Sequence, residues 1–99
     1  MKVSYSPRAI RQIAQAFDYI GEDNPTAANA FLLRVEEIAS LLANHPRIGR
    51  KTRKTGVHVI SLHPYRYLMF YRLLDSADEL RVIRVRHMSR RDAGDLRGL

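Results

Sequence analysis

Apolar residues recur at three- and four-residue spacing over two stretches in the first half of the chain. In the second half they alternate with polar residues over three stretches. In the first stretch Ile10, Ile13, Ala14, Phe17 and Ile20 fall on one stripe of an amphipathic helix. Ser6-Pro7 opens it, because a serine oxygen can accept from the free N–H groups of the first turn and proline needs no partner there. Gly21 predicts its end, since glycine takes the left-handed conformation common just past a helix. Asn24-Pro25 repeats the start signal. The second helix is predicted to run to about Ala43, with Ala28, Phe31, Leu32, Val35, Ile38, Ala39 and Leu42 on its buried face and Glu36 and Glu37 opposite. A connection of about four residues allows only an antiparallel hairpin of helices.

Side chains alternate across a strand, so each alternating stretch has two faces. Residues 2–5 make a short strand with Val3 and Tyr5 on one side. In residues 57–62 Val57 and Val59 share one face, His58 and Ile60 the other, and Pro64 ends the run. Residues 66–73 divide into Tyr67, Met69 and Tyr71 against Leu68 and Phe70 with Arg66 and Arg72. Both sets contain apolar side chains, which predicts a central strand with a partly apolar open face. Asp75-Ser76-Ala77-Asp78 reads as a turn. In the last strand, from Leu80, strict alternation sends Ile83 and Val85 to one face and Leu80, Val82, Arg84 and Arg86 to the other. Ile83 and Val85 are the better core candidates, so Arg84 and Arg86 should look away from the helices. Residues 45–56, HPRIGRKTRKTG, read as an exposed basic loop. These elements predict an α+β domain over residues 1–99. In it, an N-terminal strand and a helical hairpin pack on one face of a small antiparallel sheet, in the order β-α-α-β-β-β.

Composition narrows the chemistry. The 99 residues include no cysteine, which excludes disulfides, thiolate metal sites and a cysteine nucleophile. No apolar run is long enough to span a membrane and the N-terminus lacks a signal-peptide pattern, which points to the cytoplasm and to no membrane partner. The net charge of +7 is unevenly placed. Residues 1–44 hold four Lys or Arg against five Asp or Glu, whereas residues 45–99 hold thirteen against five, mostly arginine. Arginine suits bidentate contact with carboxylate or phosphate, so the basic half implies an acidic or nucleic-acid partner. The candidate contacts are Arg50, Arg53 and Lys54 of the basic loop, Arg66, Tyr67 and Tyr71 of the central strand, and Arg84, Arg86, Arg90 and Arg91 at the C-terminal end.

His87 among Arg84, Arg90 and Arg91 is the sharpest constellation, because a histidine can move protons and arginines can stabilise a phosphoryl transition state. No Asp or Glu is placed by the sequence as the second member of an acid–base pair. The four histidines show no metal-ligand spacing, and neither a phosphate-binding loop nor a dinucleotide fingerprint occurs, so no metal and no cofactor is expected.

Five segments, YSPRAIRQI, YIGEDNPTAANAF, HPRIGR, RYLMFYRL and IRVRH, occur in an order that resembles the RelE/ParE superfamily of toxins from type II toxin–antitoxin systems, and within it the ParE-like branch. The resemblance covers nearly the whole chain and implies the same β-α-α-β-β-β fold. It implies a cognate ParD-like antitoxin that wraps the toxin and alone contacts operator DNA, and DNA gyrase as the target. The RelE-like alternative is a ribosome-dependent mRNA endonuclease, for which Arg66, Arg84 and His87 are the matching residues. A third possibility is a non-toxic member acting only as antitoxin partner and co-repressor. The chain departs from the usual ParE-like ending in having Met88 where a glycine commonly follows the histidine, and Arg91 where an acidic residue often stands.

Overall fold

The computed structural model describes residues 1–89; Arg90, Arg91 and the tail to Leu99 lie outside the described residues. The elements are β1 (Lys2–Tyr5), α1 (Pro7–Asp23), α2 (Pro25–Asn44), β2 (Arg50–Lys51), β3 (Val57–Ser61), β4 (Tyr67–Leu74) and β5 (Glu79–His87). They build one sheet in the order β1-β5-β4-β3-β2, with α1 and α2 against one face. The expected antiparallel sheet is present from β2 to β5, but β1 joins the far edge parallel to β5, which makes the whole sheet mixed. The helical hairpin carries the chain from β1 to β2 at the opposite edge, and three antiparallel steps bring β5 back beside β1. Part of the predicted basic loop becomes a strand, because Arg50 and Lys51 pair with Val59 and His58 at the sheet edge.

Ser6 starts α1 as the sequence predicts: its Oγ accepts from Ala9 N at 3.1 Å. The same hydroxyl donates to Ile83 O at 3.2 Å, and Ser6 N donates to Val82 O at 2.8 Å, so the cap also ties the helix start to β5. The helix does not stop at Gly21. It continues to Asp23, and Asn24 alone links the helices, its N–H closing α1 on Ile20 O and its side chain capping α2 at Ala27 N. One residue that serves both ends makes the glycine terminus unnecessary.

The contact face of α1 is rotated from the predicted stripe. Ala9 and Ala16 are buried, Ile13 and Ile20 pack against the core, and Phe17 is half-buried. Ile10 is 57% exposed and Ala14 is exposed, so both leave the predicted core. Alanines at the contact let the helix approach the sheet closely, and the larger side chains take the flanks. In α2 the predicted face holds: Ala28, Phe31, Val35, Ile38 and Leu42 are buried.

In β5, Phe70 pairs with Arg84 and Tyr71 with Val82, so Ile83 is an inserted residue. Such a bulge reverses the alternation beyond it. Leu80, Val82 and Val85 all join the main core beneath the helices, while Ile83 packs with Val57, Val59, Leu68 and Phe70 on the other face. The predicted placement of Val85 is correct; those of Ile83, Leu80 and Val82 are not.

Tyr71, fully buried, braces the turn before β2. Its hydroxyl donates to Pro46 O at 2.9 Å and accepts from Gly49 N at 3.0 Å. A Cβ on Gly49 would lie 2.9 Å from Tyr71 ring carbons, so no larger residue fits without displacing the ring. At Gly21, by contrast, a Cβ would meet Ala28 Cβ at an ordinary 3.5 Å. The two glycines therefore predict opposite results in urea unfolding. Gly21→Ala should stabilise the fold by about 0.5–1 kcal/mol, the helix-propensity difference. Gly49→Ala should cost about 1–3 kcal/mol through overpacking.

His58 stacks on Tyr71 with ring centroids 5.4 Å apart and is 8% exposed. Burial, and then the positive charges of Lys51 and Arg47, lower its pKa below the ordinary 6.5. The unfolded chain thus takes up this proton at higher pH than the folded one, so its contribution to stability is complete above about 6.5 and is lost as pH falls through the folded value. Stability measured against pH should decline on acidification from pH 6.5, and His58→Gln should remove that part of the slope.

Candidate binding cleft and basic surface

Past Val82 the outer edge of β5 has no strand beside it, because β1 pairs only as far as Tyr5 with Val82. Helix α1 takes over. Ser6 serves the carbonyls of Val82 and Ile83, and Gln12 Oε1 accepts from Val85 N at 2.7 Å. This docking leaves a cleft of about 230 Å³ where α1 lies beside the ends of β4 and β5, lined by Gln12, Gln15, Ala16, Tyr19, Tyr67, Arg86, His87 and Ser89. None of these side chains is acidic.

His87 pairs with Tyr67 across β4 and β5, and their rings meet edge to face at 5.1 Å. Its Nδ1 accepts from Ser89 N at 3.1 Å and lies 2.7 Å from Ser89 Oγ. With Nδ1 an acceptor, the hydrogen-bond network assigns the ring proton to Nε2. Arg86 Nη1 donates to the carbonyls of His87 and Met88 at 3.0 and 3.5 Å. Its guanidinium also lies over Phe70, 5.5 Å from the ring centroid, and that of Arg84 lies over the same ring at 5.9 Å. Stacking on an aromatic face holds two like charges on one side of the sheet.

The residues proposed from sequence are therefore divided. His87 sits on the helix side against Tyr67, whereas Arg84 lies against Phe70 on the opposite face and is only 5% exposed. Arg66 is exposed just before β4, its carbonyl accepting from Met88 N at 2.8 Å. Arg84 and His87 do not converge on one point. Arg50 and Arg53 are exposed at the β2 edge and in the turn after it, and Lys54 is half-buried there. Tyr71 is an internal strut with its hydroxyl engaged, and Tyr67 is largely buried with one edge in the cleft. Arg90 and Arg91 lie outside the described residues.

Gln12, Gln15, Tyr19 and Ser89 carry no signal in the sequence beyond the polar side of a helix and a strand end. Their grouping follows from where α1 docks, which no local pattern encodes. Among the described residues no three His, Asp or Glu side chains come together where they could hold a metal ion, and no helix is long and apolar enough to cross a membrane.

Residues 3–92 match the family described as the ParE toxin of the type II toxin–antitoxin system, parDE. The chain belongs to this family. It is 30% identical over 89 residues to toxin RelE2 of Caulobacter vibrioides, covering 90% of this chain and 97% of that protein. The fold is similar to that of the chromosomal ParDE toxin–antitoxin system from P. aeruginosa, with a TM-score of 0.77, 16% identity, and 90% of this chain and 97% of the other covered. It is also similar to a chain of the intact E. coli RelBE toxin–antitoxin complex, with a TM-score of 0.64, 16% identity, and 91% and 98% covered. The α+β architecture, with a strand and helical hairpin ahead of the sheet, is thus that of the RelE/ParE toxins.

The Gln12 contact makes the cleft wall testable. Gln12→Leu leaves Val85 N–H without its acceptor at the sheet edge, and denaturant unfolding should show a loss of about 1–3 kcal/mol. Gln12→Glu, which keeps an acceptor oxygen, should retain most of that stability.

Proposed function

We propose that this member of the type II toxin family arrests growth in the cytoplasm by binding and blocking DNA gyrase, and that a ParD-like antitoxin encoded beside it neutralises it. The observation that carries the choice of target is the separation of Arg84 and His87 onto opposite faces of the sheet. RNA cleavage by transfer of a 2′-hydroxyl proton needs a base and an acid converging on one phosphate. Here the cleft beside His87 has no carboxylate among its described lining residues, and the ring proton sits on the nitrogen left to a ligand. Blocking a protein target needs only a surface, and the exposed arginines of the β2 edge, with half-buried Arg86 on the sheet face bearing Phe70, supply a basic one.

The same basic surface suits an acidic antitoxin segment, and the ParDE and RelBE relatives are named as toxin–antitoxin assemblies. Operator DNA would then be reached only through the antitoxin. A second reading, a ribosome-dependent mRNA endonuclease, is favoured by the relative named RelE2 and tests against the first directly.

Expressed alone, the chain should arrest growth, and the purified protein should inhibit supercoiling by gyrase. His87→Ala should leave both effects within about twofold of the parent, since blocking gyrase by binding requires no proton transfer from His87. Cleavage of mRNA on purified ribosomes, abolished by His87→Ala in a folded protein, would replace gyrase with the ribosome. Absence of any growth defect would leave only the antitoxin partner and co-repressor role.

A further inference from the structure

The cleft beside His87 has a donor set with a defined ligand chemistry. Gln12 uses its oxygen on Val85 N, which leaves its amide hydrogens for a ligand. His87 uses Nδ1 on Ser89 and offers Nε2–H. Arg86 adds positive potential from a guanidinium already fixed by the carbonyls of His87 and Met88 and by Phe70. No lining side chain among the described residues is acidic. Neutral donors beside one cation match a monoanion better than a phosphate dianion, which is held by clusters of guanidinium and ammonium groups. The volume of about 230 Å³ lies below that of sites for small molecules and suits a single side chain. Tyr19, 65% exposed on α1, forms a wall for an aliphatic stem.

We propose that this cleft anchors one carboxylate side chain of a partner polypeptide, between the Gln12 amide and His87 Nε2–H. Naming that polypeptide as the antitoxin rests on the function proposed above; the chemistry of the cleft does not. The carboxylate enters between α1 and the strand ends, its stem along Tyr19. Any partner segment seated there therefore needs a Glu or Asp at one defined position.

The test uses the full chain, isotope-labelled at histidine, titrated with acetyl-glutamate amide, acetyl-glutamine amide and inorganic phosphate. The His87 ring resonances should shift saturably with the glutamate probe and not with its neutral isostere. Gln15→Glu, a change on the exposed lip of the cleft, should weaken that response at least about fivefold by like-charge repulsion. No response to the glutamate probe, an equal response to the glutamine probe, or a response to phosphate alone each overturns the proposal. In parallel, Gln15→Glu should weaken binding of the antitoxin encoded by the adjacent reading frame about tenfold, with Ser76→Glu, in the β4–β5 turn, as the unaffected control. Equal binding by Gln15→Glu refutes the anchor and leaves the proposed function standing. A wild-type chain that binds no such antitoxin, yet responds to the glutamate probe, refutes the antitoxin reading and leaves the carboxylate site standing.

Discussion

A single inserted residue, Ile83, decides which side of the sheet the end of β5 presents to each partner. Leu80 and Val82 lie beneath the helices, and unbroken alternation from them would carry Arg84 and Arg86 into the same apolar layer. Two guanidinium groups beneath the helices would be buried in an apolar layer at a cost of several kcal/mol each. On the other face Arg84, though only 5% exposed, has the Phe70 ring to lie over, and Arg86 stays half-buried. The bulge resets the strand, so that Val85 returns to the core, His87 reaches the cleft, and both arginines stack on Phe70. The core and the division of charge between the two faces depend on the same residue.

The bulge was legible in principle. Apolar residues stand at 80, 82, 83 and 85, and the adjacent pair in the middle marks a change of phase that strict alternation cannot accommodate. Much else was readable because its causes are local. Ser6-Pro7 and Asn24-Pro25 start helices through their own side chains, and the faces of β3 and β4 follow from alternation. The parts not legible are those set by docking. Which stripe of α1 faces the sheet depends on how closely its alanines let it approach, and the periodic pattern weights large side chains over small ones. The cleft of Gln12, Gln15, Tyr19 and Ser89 exists only because α1 covers the edge of β5 that β1 leaves bare.

The basic segment after α2 is held by means its composition hides. Its bases suggest a solvated loop, yet Tyr71 pins Pro46 and Gly49 from within the core, and β2 is paired to β3 directly afterwards. Arg47 pairs with Asp75 at 3.2 Å across the surface, an exposed contact worth little by itself. The rigidity comes from the buried hydroxyl and from Gly49, where a side chain cannot fit. Arg50 is thus displayed from a strand paired in the sheet, so binding it orders less backbone than binding a base on a loose loop.

Separation of the faces bears directly on what the domain can do. Catalysis needs groups brought within hydrogen-bond reach of one reacting centre, and the sheet stands between Arg84 and His87. Recognition has no such requirement, because one partner can wrap both faces and gain from each independently. Half-buried Arg86 and the exposed bases of the β2 edge offer a positive surface on one side, and the cleft offers a small polar socket on the other. A polypeptide that engages both must pass around the end of β5, where the carbonyls of His87 and Met88 are already held by Arg86. Arg86 reaches from the face it shares with Arg84 into the cleft lining, so it borders both surfaces.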